Sequence, residues 1–347
     1  MVRIGYKASA EQFAARELLQ FAVLAEELGL DIVAVSDHFQ PWRHNGGHSP
    51  SALTWLGAAG QATSRVVLGT SVLTPTLRYH PSIVAQAFST LWELAPGRVY
   101  LGLGSGEAMN ETPATGEEFP GRKERRLRLA ESIELIRQLL TEERVSFQGD
   151  YYQTSRATIY DRPEEPIPIY VAASGPLAAK LAGRVGDGFI CTSGKDPDLY
   201  RTLLGEVIAG AEQSRRDPAS VRRSIEVKVS YDRDIDAAYA ACHWWAALAL
   251  SPEQKEGVED PLEMERLADA NLDKAHTRFI VSDDPAEVVD RITSYLELGF
   301  EDLVIHGPGN DQRRFLEHFT EDVLPLLRLR AEEITRTEGG PREPSAA

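Results

Sequence analysis

The sequence predicts a parallel (β/α)8 TIM barrel with insertions in its loops, and three observations point there. Short apolar runs alternate with longer amphipathic runs along almost the whole chain. The short runs are apolar at consecutive positions, as in strands covered on both faces, and only a crossover helix returns the chain for parallel pairing. About eight such runs occur, which favours closure into a barrel over an open, doubly wound sheet.

In order, the strand and helix pairs are Val2 to Tyr6 with Ala14 to Leu28, Asp31 to Val35 with Ser51 to Ala62, and Val66 to Leu73 with Pro81 to Glu93. Val99 to Leu103 follows with the helix Arg122 to Leu140, then Ile167 to Ala172 with Leu177 to Val185, and Gly188 to Cys191 with Leu199 to Ser214. Ile225 to Val229 is the next strand, and Leu303 to His306 precedes a last helix from Arg313 to Arg330. Gly29, Gly186 and Gly299 stand where helices stop and the chain turns to the next strand, the place of a left-handed C-cap.

Two stretches break the rhythm, Thr141 to Glu165 and Ile235 to Lys274, and are read as loop insertions of a kind that shapes a barrel's pocket. At 347 residues the chain exceeds a common domain length, but a barrel with insertions reaches it, so residues 1–334 are expected to form one domain. The segment 335–347, rich in Glu, Gly, Pro and Ser, is expected to be a disordered tail.

A formal net charge of -16 with no local basic stripe argues against a nucleic-acid partner. Cys191 and Cys242 are too few for a disulfide framework and fit a reducing compartment. No basic leader with an apolar run and no stretch of ~18 apolar residues is present, so the expectation is a cytoplasmic protein with no membrane partner.

In a barrel the residues just past each strand converge at one end. They include Ser36-Asp37-His38 through His44, Thr70 to Thr76, Gly104-Ser105-Gly106-Glu107 through Asn110, Ala172 to Pro176, and Cys191 to Lys195. His38 is a candidate for proton transfer, since imidazole titrates near neutrality and Asp37 adjoins it; a loop histidine merely hydrogen-bonded is the alternative. Glu107 is a second candidate, its neighbouring glycines allowing close approach of a ligand. Gly102-Leu103-Gly104-Ser105-Gly106 lacks the third glycine opening a helix and the distant acidic residue of a dinucleotide fingerprint. Ser174-Gly175-Pro176-Leu177-Ala178 opens a helix after a strand, where free amides and the helix dipole favour an anion. His44 and His48 flank Gly46-Gly47, a loop and not a helix, so no metal site is expected. Lys195, Lys255 and Arg278 are scattered cations that would bind a phosphate only if they converge.

The runs Ser36 to His44, Leu68 to Thr76 and Gly188 to Lys195, within a match from Gly5-Tyr6-Lys7-Ala8-Ser9 through Asp311 to Leu316, resemble the deazaflavin-dependent glucose-6-phosphate dehydrogenases of the bacterial-luciferase-like superfamily. The resemblance implies a homodimeric barrel that binds coenzyme F420 and oxidises C1 of a hexose 6-phosphate. It places coenzyme contacts on Asp37, Thr74, Ser105, Asn110, Ser174, Gly175, Leu177 and Ala178, with Ser105 standing where threonine is familiar and Ser174 where glycine is. It assigns the sugar phosphate to Thr192, Lys195, Lys255 and Arg278, and a non-proline cis peptide to Ser71-Val72. Glu107 is then expected as proton acceptor and His38 as proton donor or charge stabiliser, with the reverse assignment open, and Trp42 and Glu11 shape the site. Two alternatives remain at this level: a related oxidoreductase using the same coenzyme on an alcohol or ketone, and a non-catalytic coenzyme- or sugar-phosphate-binding protein. The intact cation set weighs against the first, and retention of His38 and Glu107 against the second.

Overall fold

A computed structural model describes residues 1–255 and 257–338. Its strands are β1 (Arg3–Ala8), β2 (Ile32–Val35), β3 (Val67–Thr70), β4 (Val99–Leu103), β5 (Ile169–Ala172), β6 (Gly188–Thr192), β7 (Arg222–Tyr231), β8 (Ile280–Ser282) and β9 (Asp302–His306). Strands β1 to β7 pair in sequence order, and β9 closes the ring between β7 and β1, every pairing being parallel. The register aligns Tyr6 with Val33 across β1 and β2, and Ile225 with Leu303 across β7 and β9. This is the closed (β/α)8 barrel that the alternation predicts.

The strands are apolar on both faces because each faces two different cores. Between barrel and helices lies a large layer that includes Tyr6, Leu68, Phe88, Phe189 and Phe300. Inside the barrel a smaller cluster contains Ile32, Tyr100, Tyr170, Ile190 and Val304. The rings of Tyr100 and Tyr170 stack with centroids 4.7 Å apart, and they fit because glycines face them. A Cβ on Gly69 would lie 2.3 Å from the Tyr100 ring, and one on Gly188 would lie 2.5 Å from the Tyr170 ring. At the barrel's N-terminal rim the buried Asp302 of β9 takes Arg3 of β1 at 2.6 Å and Arg222 of β7 at 2.7 Å, an ionic tie across three neighbouring strands.

The outer helices include Ala15–Glu27, Ala52–Ala62, Pro81–Leu94, Arg122–Thr141, Pro176–Val185 and Pro197–Gln213. Several start on Pro, whose fixed φ suits the first turn and whose missing N–H costs nothing there. Aspartates at 196 and 284 cap two of them by accepting the amides of Asp198 and Ala286.

Some elements differ from expectation. Strand β3 stops at Thr70 and not at Leu73, because the chain turns at the Ser71–Val72 peptide, which is cis as the resemblance implies. Strand β8 and the helix Pro285–Glu297 are additional; three residues carry too little pattern to announce a strand. A short helix, Ala108–Thr115, follows Glu107 directly. The last helix is broken into Gln312–His318, a wide turn Phe319–Val323, and Leu324–Glu338. The expected tail therefore begins helical through Glu338, and residues 339–347 lie outside the described residues.

The two insertions part company. The segment 235–274 folds into Ile235–Ala241, Cys242–Ala249, Pro252–Lys255, Pro261–Asp269 and the start of Leu272–Arg278, with its own apolar cluster around Trp245, Met264 and Phe279. The segment 141–165 carries the isolated bridges Val145 to Ala157 and Gln148 to Gln153. It is pinned by Glu131, which accepts the amides of Asp150, Tyr151 and Tyr152.

Candidate active site

The strand C-termini open into a cavity of about 520 Å³. Its wall includes Glu11, Asp37, His38, Trp42, Thr74, Ser105, Glu107, Asn110, Ser174, Thr192, Lys195, Lys255 and Arg278. Of the residues expected from the sequence, Gly175, Leu177 and Ala178 stand apart from this wall, at the start of the helix Pro176–Val185. The insertion 235–274 contributes Trp245, Leu248, Leu250, Pro252 and Lys255, whereas 141–165 contributes none of the lining residues, so only one insertion shapes the pocket.

His38 follows β2 and has both ring nitrogens engaged. Nε2 lies 3.2 Å from Glu11 Oε1, and Nδ1 lies 3.2 Å from Asn110 Nδ2. Asn110 is oriented by its carbonyl oxygen, which accepts the amides of Phe39 and Gln40 at 2.9 and 3.1 Å. Its NH₂ group therefore faces the imidazole as a donor, Nδ1 is the acceptor, and the proton sits on Nε2 toward Glu11. Burial opposes the charge on Glu11, but His38, Lys7 and the donated Ser36 hydroxyl outweigh it and hold the carboxyl below its usual range. The same Asn110 amide reaches Glu107 Oε2 at 3.5 Å. Glu107 is exposed at the head of the helix Ala108–Thr115. The Trp42 ring stands 6.2 Å from the His38 ring, centroid to centroid.

Asp37 lines the cavity with a carboxylate already occupied: Arg78 donates to Oδ2 at 2.7 Å and the Tyr79 hydroxyl to Oδ1 at 3.3 Å. Arg78 in turn reaches Glu111 at 3.7 Å. The glycine-rich run after β4 serves close packing. A Cβ on Gly102 would lie 1.9 Å from the Thr70 carbonyl oxygen, and one on Gly104 would lie 2.6 Å from Val72 Cγ2. Gly106, at φ +82°, turns the chain toward Glu107 beside Thr74.

Opposite, Lys195, Lys255 and Arg278 converge on the cavity, and among the described residues none has a carboxylate within ion-pair distance. Burial and the neighbouring Arg278 depress the ammonium pKa of Lys195. Burial also lowers that of Lys255, Glu107 working against it, and its ammonium lies 5.2 Å from the Trp42 ring centroid. Arg278 is held by the carbonyls of Leu248 at 3.2 Å and Ser193 at 3.4 Å. Cations held together without an ion-pair partner at contact distance form a site for an anion.

Sequence reasoning missed Lys7, Glu226, Lys228, His306 and Trp245, all of which line the cavity. Glu226 meets Lys228 at 3.1 Å and Lys7 at 3.4 Å, in a buried group on β7 and β1. The signal was there: charges at alternate positions within an apolar strand, Ile225-Glu226-Val227-Lys228-Val229, mark the face turned into the barrel. Burial pushes the Cys191 thiol up to about 12, which makes it a poor nucleophile.

Comparison with known proteins agrees with this architecture. The F420-dependent glucose-6-phosphate dehydrogenase of Beutenbergia cavernae is 60% identical over 337 residues, covering 96% of this chain and 100% of that protein. That of Intrasporangium calvum is 58% identical over 332 residues, covering 94% of this chain and 99% of its own length. Among solved structures, an F420-dependent secondary alcohol dehydrogenase in complex with an F420-acetone adduct is 34% identical, with a TM-score of 0.88 over 94% of this chain and 99% of that one. Residues 1–302 match the luciferase-like monooxygenase family, and the chain belongs to it, within the group of F420-dependent glucose-6-phosphate dehydrogenases.

Proposed function

We propose that this protein is an oxidoreductase that oxidises C1 of glucose 6-phosphate to 6-phosphogluconolactone, with coenzyme F420 as hydride acceptor. The observation that carries the reading is the meeting of two unlike halves in one cavity. Lys195, Lys255 and Arg278, three cations without a carboxylate partner among the described residues, face the proton-transfer group of His38, Glu11, Asn110 and Glu107. An alcohol or ketone substrate without a phosphate would leave those cations uncompensated.

The cavity suits a flat heteroaromatic coenzyme. Val72, Ala172 and Ile190 make an apolar floor, and Gly104 has its backbone where a side chain would collide with Val72. Thr74, Ser105, Asn110 and Ser174 supply hydrogen-bonding groups around it. Gly175 is extended and a Cβ there meets nothing within 4 Å, which leaves room for the coenzyme's phosphate at the first turn holding Leu177 and Ala178. Bound there, coenzyme F420 supplies a deazaflavin ring that accepts a hydride.

The protein's own share of the chemistry is the proton and the anion. Glu107 is the proton acceptor for the C1 hydroxyl, because its carboxylate is open to the cavity while both nitrogens of His38 are already engaged. His38 keeps its proton on Nε2 against Glu11 and stabilises charge near the reacting centre. Thr192, Lys195, Lys255 and Arg278 hold the phosphate. Residues 1–334 act as a single domain, the protein works as a homodimer in the cytoplasm, and it takes part in carbohydrate metabolism. No helix among the described residues is long and apolar enough to cross a membrane.

The test follows the loss of oxidised deazaflavin absorbance with glucose, fructose and mannose 6-phosphates, with NADP and a flavin as control acceptors. Turnover with F420 and glucose 6-phosphate is expected; turnover with NADP alone overturns the reading. Light scattering on the eluting protein checks the homodimer.

A further inference from the structure

One side of the cavity has no part in the reaction as described. Around the barrel, the phosphate-holding cations come from beside β6 and β8, and His38 follows β2; between them on that arc lie β7, β9 and β1. The groups suited to the coenzyme come from the opposite arc, after β3, β4 and β5. A hexose with its phosphate on Lys195 and Arg278 and its C1 at His38 therefore lies along β7, β9 and β1.

On that arc stands His306, the last residue of β9. It is 2% exposed and lines the cavity, and neither ring nitrogen has a hydrogen-bond partner among the described residues. Glu226 comes within 3.6 Å of Nδ1, short of a hydrogen bond. The ring is held edge-on by Trp245 at a centroid distance of 4.5 Å and flanked by Phe279 at 5.7 Å, so packing sets its orientation and leaves its polar atoms unmatched. A buried polar group without a partner costs free energy unless a ligand or water completes it. Burial lowers the His306 pKa, with Glu226 opposing, and a neutral imidazole offers one donor and one acceptor. A ring hydroxyl can pair with either one, accepting from the N–H or donating to the bare nitrogen.

We infer that His306, backed by the Glu226–Lys228 pair, is a specificity-determining residue that recognises a secondary hydroxyl of the hexose ring. The inference rests on the sugar-phosphate reading above and deepens it. It names ring hydroxyls, beyond the phosphate, as what the site reads.

Calorimetric titration of glucose 6-phosphate, its 2-, 3- and 4-deoxy analogues and inorganic phosphate into the protein tests it without turnover. One deoxy analogue is expected to bind the wild type about 10- to 100-fold more weakly than the parent, the range of a hydrogen bond lost from a buried group. In His306→Phe the parent should fall to the affinity of that analogue, while inorganic phosphate and coenzyme bind as before. Should His306→Phe not fold, His306→Gln, which keeps a donor and an acceptor, is expected to retain part of the discrimination. A wild type that binds all three analogues as it binds glucose 6-phosphate overturns the inference, and so does a variant that loses affinity equally for every sugar, the behaviour of a purely structural or water-satisfied histidine. Failure of the wild type to bind either glucose 6-phosphate or phosphate overturns the functional reading itself.

Discussion

The side-chain amide of Asn110 lies 3.2 Å from Nδ1 of His38, and this contact sets which nitrogen of the imidazole carries its proton. An amide that donates here, held by two backbone N–H groups on its other side, leaves Nδ1 no role but acceptor. Asn110→Asp replaces the donor by a second acceptor beside a ring whose other nitrogen already faces Glu11, and so removes the contact that fixes the tautomer. Turnover is expected to fall about 10²-fold, in the range of acid–base contributions. The KM for glucose 6-phosphate should change little, and steady-state kinetics across pH checks both parameters together.

The cation group gives the opposite kinetic signature. Lys195→Ala and Arg278→Ala each remove a charge-assisted contact of roughly 1.5–3 kcal/mol, so KM for the sugar phosphate should rise about 10- to 150-fold. The turnover number at saturation should stay within a few-fold. Removing one cation also relieves its neighbours, so the ammonium pKa of Lys195, depressed by burial and by Arg278, should rise in Arg278→Ala. Side-chain NMR of labelled lysine reads that change directly.

Gly175 separates folding from binding. Its extended backbone and the empty space around its would-be Cβ mean that Gly175→Val should leave the melting temperature within about 2 °C of wild type, the range of a sub-kcal/mol change. Coenzyme affinity should weaken at least tenfold if its phosphate occupies that space. Quenching of the coenzyme's fluorescence on titration measures it.

Acid stability should depend on Glu26, far from the site. Its carboxylate accepts the backbone amides of Ser64, Arg65 and Val66 and the Ser64 hydroxyl, tying the first helix to the start of β3. Burial opposes its charge, but those bonds prevail and bring the pKa down from 4.5 to about 2. A folded-state value below the unfolded one means the stabilisation is full above about pH 4.5 and is lost as pH falls toward about 2. Glu26→Gln should melt well below wild type at pH 7, and the gap should narrow between those two pH values. Thermal unfolding by circular dichroism over that range checks it.

Much of this was legible in the chain because a barrel converts order in sequence into position in space. Once the alternation places Ser36-Asp37-His38, Gly104 to Glu107 and Thr192 to Lys195 at the ends of parallel strands β2, β4 and β6, they must gather at one mouth. Lys255 and Arg278 were legible only through family resemblance, since they come from an insertion and from the entry to β8, where no periodicity dictates the path. Lys7, Glu226, Lys228 and His306 were overlooked for another reason. They sit inside the strands and not after them, and a charge within an apolar run reads as an interruption unless its alternation is followed to the interior of the barrel. Asp37 was placed in the right wall, but its engagement with Arg78, 41 positions along, belongs to tertiary packing alone.

The division of the mouth into two arcs has a consequence for how such enzymes diversify. The arc after β3 and β4 is carried by strand ends and tight glycine contacts, where a Cβ on Gly102 or Gly104 would collide with Thr70 or Val72. The cation group draws in part on one excursion of the chain: the segment 235–274 provides Lys255 directly, and its Leu248 carbonyl steadies Arg278. Replacing that one segment would remove Lys255 and the carbonyl that steadies Arg278 while Lys195, just after β6, stayed in place, so a graft there thins the cation group without emptying it.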